Sequence, residues 1–495
     1  MGANNDELIA RLGRWSSGRG PLYVLLAARL RALIDDGELR PDTPLPPDRE
    51  LARSLAVGRG TVVAAYDLLQ QEGRVVRRQG SGTRVCAAQH PPPGTADAND
   101  GGGAGGAGGA GGAGGGTTAN PLLLHLLDPP ESVILLSCAA PEEPPPILAE
   151  AYLEAVARLG RIRHDIGYHP AGHPELREEI ASYYRARGVP TSPGQILVTN
   201  GAQQALTLLA NLLLSPGDTV LTEAPTYPGA LESFREAAAL FRTAAGAEEF
   251  GAALTDRPAL GYLIPTCHNP TGTIMPPLVR RRLAALAGEH DVPLVEDEVP
   301  AELCFSGETP PPLAHYGDGR RIITVGSLSK LVWGGLRVGW IRAAAPVISR
   351  LVRLRAVHDL GGEIVGQLAA TRLISQVDRL RRDRIAVLRR RHDHLLGELA
   401  ARLPSWRAEP ALGGQTIWVR LPGGDAGAFA QVALRHGVAV PQGRSFDPSG
   451  GHGDHLRLPF LSGEETLTES VSALAAAWRD YDGTRRPGTL QALVV

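Results

Sequence analysis

Ser327-Leu328-Ser329-Lys330-Leu331-Val332-Trp333-Gly334-Gly335-Leu336-Arg337 holds the only lysine of a 495-residue chain whose Lys and Arg together number 50. Every other Lys/Arg position is arginine. A bias of that strength removes lysine wherever a plain positive charge suffices, so position 330 is one where a guanidinium fails. Arginine stays protonated to about pH 12, whereas a desolvated amine loses its proton and attacks carbonyls. The chemistry this points to is a Schiff base, and pyridoxal phosphate is the common protein-bound aldehyde that forms one, with an acidic partner on its pyridine nitrogen. The bland alternative is a surface lysine that merely survived, and the residues around it decide against that.

The length allows two to four domains and a sizeable core. A net charge of -2 with 43% hydrophobic residues describes a globular chain without the overall basicity of a nucleic-acid coat, so any contact with nucleic acid is local. Cysteines 86, 138, 267 and 304 show no zinc-ligand or disulfide spacing. They fit a reducing cytoplasm, and no metal is expected. The first residues lack an apolar signal core, and the apolar run from Leu122 to Leu136 is broken by Asp128, Pro129, Pro130 and Glu131, so neither export nor a membrane span is expected.

Three regions of different composition follow. In the first, residues 1–86, Leu22, Leu25, Leu26, Leu30, Leu33 and Ile34 space out one face of a helix. Pro47-Asp48-Arg49-Glu50 opens a second, short helix, and Arg59 opens a third with Val62, Tyr66 and Leu69 on its buried side. Arg74 to Val85 reads as two short β-runs around Gly80-Ser81-Gly82, a wing behind a helix-turn-helix. Residues 49–84 carry seven arginines against three acids, enough local charge to neutralise phosphates. A protein-binding three-helix module remains the alternative on charge alone. Leu-Pro-Pro-Asp-Arg-Glu-Leu-Ala (45–52), Val-Gly-Arg-Gly-Thr-Val (57–62) and Arg-Arg-Gln-Gly-Ser-Gly-Thr (77–83) resemble the winged helix-turn-helix of GntR-family repressors. The resemblance implies Arg49, Arg59, Thr61 and Gly80 as DNA contacts, while Val63 stands where some members have a further arginine.

Residues 87–120 include a run from Gly101 to Gly116 made only of Gly and Ala. This composition reads as a flexible tether.

The third region, 121–495, alternates β-prone runs (195–199, 219–222, 260–264, 293–295, 321–325) with helical stretches, the order of a mostly parallel sheet covered on both faces. Polar motifs sit just after these runs, where such sheets bind ligands. Asn200-Gly201-Ala202-Gln203 opens a helix and can hold a phosphate. Tyr227 lies in a turn, and Asn269 can donate to a phenolate oxygen. Asp297 is set within Glu296-Asp297-Glu298 after Pro-Leu-Val, a costly place for carboxylates unless one meets a cation.

In this order the motifs are similar to the aminotransferase-like, fold-type I pyridoxal phosphate enzymes. The resemblance implies a large part at about 165–345 and a smaller C-terminal α/β part at about 346–495 that includes the segment before 165. It also implies Lys330 as the aldimine lysine, Asp297 on the pyridine nitrogen, Asn269 on the ring oxygen and Tyr227 stacked on the ring. Ala202, Gln203, Ser327, Ser329 and Arg337 would surround the phosphate, Tyr168 would reach the phosphate of a neighbouring subunit, and Arg457 would bind an effector carboxylate. Where many relatives have a tyrosine two or three residues after the aspartate, this chain has Val299 and Pro300. That substitution weighs against sustained transamination.

A GntR-type winged helix joined by a long linker to such a body resembles the MocR family of bacterial transcription regulators. The resemblance implies a head-to-tail homodimer on promoter DNA, responding to pyridoxal phosphate or an amino-compound effector at Lys330. An active aminotransferase with an accessory DNA-binding segment is the alternative.

Overall fold

Leu26, Ala27, Leu30 and Leu33 are buried on one face of helix α1 (Leu22–Asp35), as their spacing requires. The computed structural model describes residues 8–9, 11–12, 22–35, 38–39, 43–55, 57–71, 74–78, 82–86, 133–137, 139–317 and 319–481. The linker expected at 87–120 and Gly80 lie outside them. The chain divides into two units at Ala119/Asn120.

In the first unit, β1 (Pro44–Leu45) precedes α2 (Asp48–Ser54) and α3 (Arg59–Gln71). Asp48 and Glu50 in the first turn of α2 meet the positive end of its dipole. Val62, Tyr66 and Leu69 of α3 close a core with Leu51, Val75 and Val85, and the Tyr66 hydroxyl donates to Pro46 O at 2.9 Å. Strands β2 (Val75–Arg78) and β3 (Gly82–Val85) pair antiparallel with Val76 opposite Arg84, which is the wing. The two-residue β1 adds to the free edge of β3, a pairing that its Pro-Leu sequence gives no period to announce.

The body opens with β4 (Ile134–Leu135), followed by helices α4 (Pro146–Leu159) and α5 (Pro174–Ala186). Then come β5 (Ile196–Thr199), α6 (Ala202–Leu213), β6 (Thr219–Glu223), α7 (Pro228–Glu236), β7 (Leu240–Ala244), β8 (Leu260–Leu263), α8 (Pro277–Glu289), β9 (Leu294–Asp297), β10 (Ile322–Ser327) and β11 (Gly339–Arg342). These seven strands form one sheet in the order β5-β11-β10-β9-β8-β6-β7. β11 runs antiparallel to both neighbours, and the remaining pairings are parallel.

Side chains alternate across a strand, and here both faces are apolar. Leu197, Val220, Tyr262, Val295 and Ile323 join one core with Leu206 and Leu209 of α6, while Val198, Leu221, Leu263, Leu294 and Ile322 join the other with Ile180 and Tyr184 of α5. The C-terminal part has a three-stranded antiparallel sheet, β12 (Arg407–Ala408), β13 (Thr416–Arg420) and β15 (His455–Pro459), and a strand β14 (Val438–Ala439) that pairs with β4. Among the described residues no helix is long and apolar enough to cross a membrane.

Candidate cofactor and effector site

Asp297 is the last residue of β9, and period-2 alternation puts it on the same face as Val295, whose register partner on β8 is Tyr262. Asp297 Oδ2 accepts the Tyr262 hydroxyl at 2.7 Å and Oδ1 accepts the Val299 amide at 2.9 Å. Burial pushes the Asp297 carboxyl above its ordinary range, while the Val299 amide, the Tyr262 phenol and the charge of Lys330 pull against it. A buried carboxylate in that balance favours a cationic partner.

Glu296 and Glu298 are buried as well, among other partners. Glu298 makes a two-pronged ion pair with Arg187, at 2.8 and 3.0 Å. Glu296 accepts the Leu313 amide at 2.6 Å and the Thr324 hydroxyl at 2.7 Å, yet burial and the charge of Glu298 push its carboxyl up to about 7. Its folded pKa thus lies above the ordinary value of 4.5. An acid of this kind costs nothing below its unfolded pKa and destabilises the fold progressively as pH rises to its folded pKa. Denaturant titrations will show the protein losing ~3 kcal/mol between those two pH values through this group, and Glu296→Gln will flatten that slope.

Lys330 lies on the loop after β10, and its Nζ donates to Ala139 O. Its charge acts on Asp297, so the amine and the carboxylate of the sequence reading share one site. At the phosphate end, Gly201 caps α6 at φ +82°, and a Cβ there would come within 3.0 Å of Arg337 Nη2. Arg337 donates to Asn200 O at 2.6 Å, which seats its guanidinium against the α6 N-terminus beside Ala202. Ser327 Oγ donates to Val338 O at 3.0 Å and accepts the Ser329 amide at 3.1 Å, shaping the lysine loop. Gly201→Ala adds a side chain at positive φ against Arg337. It will lower stability by about 1 to 2 kcal/mol and weaken retention of phosphate-bearing ligands, measurable by calorimetry.

Gln203 Nε2 donates to Gly229 O and Ser233 Oγ, at 2.8 and 2.9 Å, and its Oε1 accepts the Tyr227 hydroxyl at 3.3 Å, so the Tyr227 ring is tied to α6. Asn269 follows β8 in a turn with a cis bond to Pro270, and its side-chain carbonyl oxygen Oδ1 is buried without a hydrogen-bond partner. Arg457, on β15, is buried with its guanidinium 4.9 Å from the Phe446 ring centre and donates to Ser137 O. Tyr168 is 62% exposed.

In the DNA-reading unit, Arg49 and Arg59 are exposed, on α2 and at the first position of α3, and Thr61 is half-buried in the first turn of α3. Arg59 Nε meets Asp48 Oδ2 at 2.8 Å.

These features fit pyridoxal phosphate. Asp297 would face the pyridine nitrogen, Tyr227 the ring, the α6 N-terminus and Arg337 the phosphate, and Lys330 the aldehyde; the ring oxygen needs a donor, so it would take Asn269 Nδ2 rather than the orphaned Oδ1. The sequence reading missed Tyr262, taken only as a strand residue, and the carbonyls of Ser137 and Ala139, which carry no side-chain signal. It also missed the Arg187–Glu298 pair. Strand alternation through 296–298 is the signal that separates Asp297 from its two acidic neighbours.

A mostly parallel sheet with a buried aspartate ending one strand and a lysine on the loop after the next defines an aminotransferase-type body, and the three-helix unit with its wing has the form of a DNA reader. Residues 133–474 match the aminotransferase class I and II family, and residues 22–85 match the bacterial regulatory proteins of the gntR family. The chain belongs to the class I and II aminotransferases through its body, and with its GntR unit it is a transcriptional regulator of the MocR family. The uncharacterized HTH-type transcriptional regulator YisV of Bacillus subtilis is 29% identical over 500 residues, 94% of this chain and 99% of the relative. The 2-aminoadipate transaminase of Thermus thermophilus is 33% identical over 66% of this chain and 86% of its own. Among solved structures, LysN of Thermus thermophilus, an α-aminoadipate aminotransferase complexed with N-(5'-phosphopyridoxyl)-L-leucine, superposes with a TM-score of 0.66 at 29% identity, over 74% of this chain and 96% of LysN.

Proposed function

We propose that the body senses pyridoxal phosphate, or a carboxylate-bearing amino compound exchanging at Lys330, and thereby sets how a dimer engages promoter DNA. The observation that carries this reading is buried Asp297, held by Tyr262 and the Val299 amide within reach of the charge of the only lysine, in a chain that has its own winged helix. When bound, pyridoxal phosphate supplies an aldehyde for the Lys330 amine and an electron-withdrawing ring. The α6 N-terminus and Arg337 bind its phosphate, Asp297 orients the ring, and Arg457 orients the effector's carboxylate.

Lys330 and Arg457 donate to carbonyls only two residues apart, in Ser137 and Ala139. That segment is the first described stretch after the linker region. A ligand engaging both side chains competes with both hydrogen bonds and so favours one arrangement of the segment over another, which is what regulation by a ligand requires. Ile166, 84% exposed and two residues before the exposed Tyr168, gives the body apolar surface for a second copy, in keeping with a head-to-tail dimer.

Sequencing the DNA fragments that the protein retains, with and without pyridoxal phosphate, tests the reading. Enrichment of one operator whose occupancy changes with the ligand supports it, and enrichment of nothing rejects it. The similarity to transaminases sustains a second reading, an enzyme with an accessory DNA-binding unit. Steady turnover with a keto-acid acceptor, above that of Lys330→Ala, would favour the enzyme.

A further inference from the structure

Tyr262 sits in the centre of β8, paired with Thr222 on β6 and Val295 on β9, and its side chain is fully buried. Its ring packs edge-on against Phe234 at 5.6 Å. Its hydroxyl donates to Asp297 Oδ2 at 2.7 Å. With the Val299 amide on Oδ1, each oxygen of the carboxylate holds one protein donor. The remaining lone pairs are what Asp297 can offer to a ligand.

We propose that Tyr262 is a positioning residue that acts through Asp297, fixing the orientation of the carboxylate and weakening its basicity so that a proton shared with a bound pyridine nitrogen stays on the ring. This deepens the cofactor reading above and rests on it. A hydrogen bond to the ionised form of a carboxylate lowers its proton affinity. Without the phenol, Asp297 becomes more basic and draws the shared proton away from the ring. The ring then withdraws fewer electrons, and the Lys330 nitrogen linked to it becomes more basic. Val299 gives Asp297 only its backbone amide, so Tyr262 is the side chain that holds this carboxylate.

Tyr262 remains a donor throughout, because burial and the neighbouring Asp297 carboxylate hold its phenol far above the ordinary tyrosine range. The other ionisable groups acting on this pair are Lys330 and Glu298 on Asp297, and Tyr227 and Glu223 on Tyr262. None of them is altered by removing the Tyr262 hydroxyl.

The test is a pH titration of the visible absorption of full-length protein loaded with pyridoxal phosphate. Tyr262→Phe keeps the ring contact with Phe234 and is expected to raise the titration midpoint by about one pH unit, a tenfold change in proton affinity. In an Asp297→Asn background the same substitution is expected to leave the midpoint in place, because there is no longer a carboxylate to act through. An unshifted midpoint in Tyr262→Phe, or an equal shift in both backgrounds, overturns the proposal. Should Tyr262→Phe fail to fold, a difluorotyrosine at 262, a stronger donor, is expected to move the midpoint down, and an upward or null result rejects the proposal. Borohydride reduction and mass spectrometry run alongside separate the two claims. No adduct at Lys330 in the unsubstituted protein sinks the cofactor reading, whereas an adduct with an immobile midpoint sinks only the role of Tyr262.

Discussion

Lys330→Ala protein incubated with pyridoxal phosphate and then reduced with borohydride will carry no covalent adduct, while the unsubstituted protein will take on visible absorbance that borohydride fixes at residue 330. The expectation is sharper here than in most proteins, because no other side-chain amine exists in the sequence to substitute. A guanidinium stays protonated and forms no such link, so Lys330→Arg will fail in the same way. The α6 N-terminus, Arg337 and Asp297 remain in either variant, so non-covalent affinity persists, reduced by about a hundredfold or more, ~2.7 kcal/mol. Isothermal calorimetry measures that residual affinity. A borohydride-fixed adduct in Lys330→Ala would mean the aldehyde is held elsewhere.

Arg49→Ala combined with Arg59→Ala will lower operator affinity by about a hundredfold and flatten its salt dependence by about two in the log–log slope, one per lost phosphate contact. Both side chains are exposed, and the Arg59–Asp48 pair has an arginine side chain 51% exposed, so it contributes little to folding. The double variant will therefore keep the thermal stability of the parent, and loss of binding will report loss of contacts. Gel-shift titrations at several salt concentrations provide the slope. Unchanged, salt-insensitive binding of a protein partner in the double variant would move the unit from a DNA reader to a protein-interaction module.

Five strands of the large sheet were readable as apolar runs because a covered parallel strand is hydrophobic on both faces. β7 and β11 were not. β7, Leu240–Ala244, is an edge strand with partly exposed residues and an arginine at its centre, and β11, Gly339–Arg342, begins on glycine and ends on a buried arginine that donates to Thr191 Oγ1. Neither has the period that betrays a strand. Yet β11 fixes the site, because a Cβ on Gly339 would come within 2.7 Å of the Gly201 backbone. The residues proposed to hold the cofactor stood out in the sequence, since amine, carboxylate, amide and guanidinium are chemically distinctive and fall after β-prone runs. What supports them stood out less. Tyr262 reaches Asp297 across two strands 35 positions apart, and the Ser137 and Ala139 carbonyls belong to the backbone, so only the folded chain brings them into view.

The account stands or falls on whether ligand chemistry at residue 330 reaches the DNA-reading unit. Operator affinity of the full-length protein, titrated by fluorescence anisotropy with and without pyridoxal phosphate, measures this directly when Lys330→Ala is run beside it. Pyridoxal phosphate is expected to shift the affinity of the unsubstituted protein and to leave that of Lys330→Ala where it was. Identical curves for the unsubstituted protein in the presence and absence of saturating pyridoxal phosphate would contradict it.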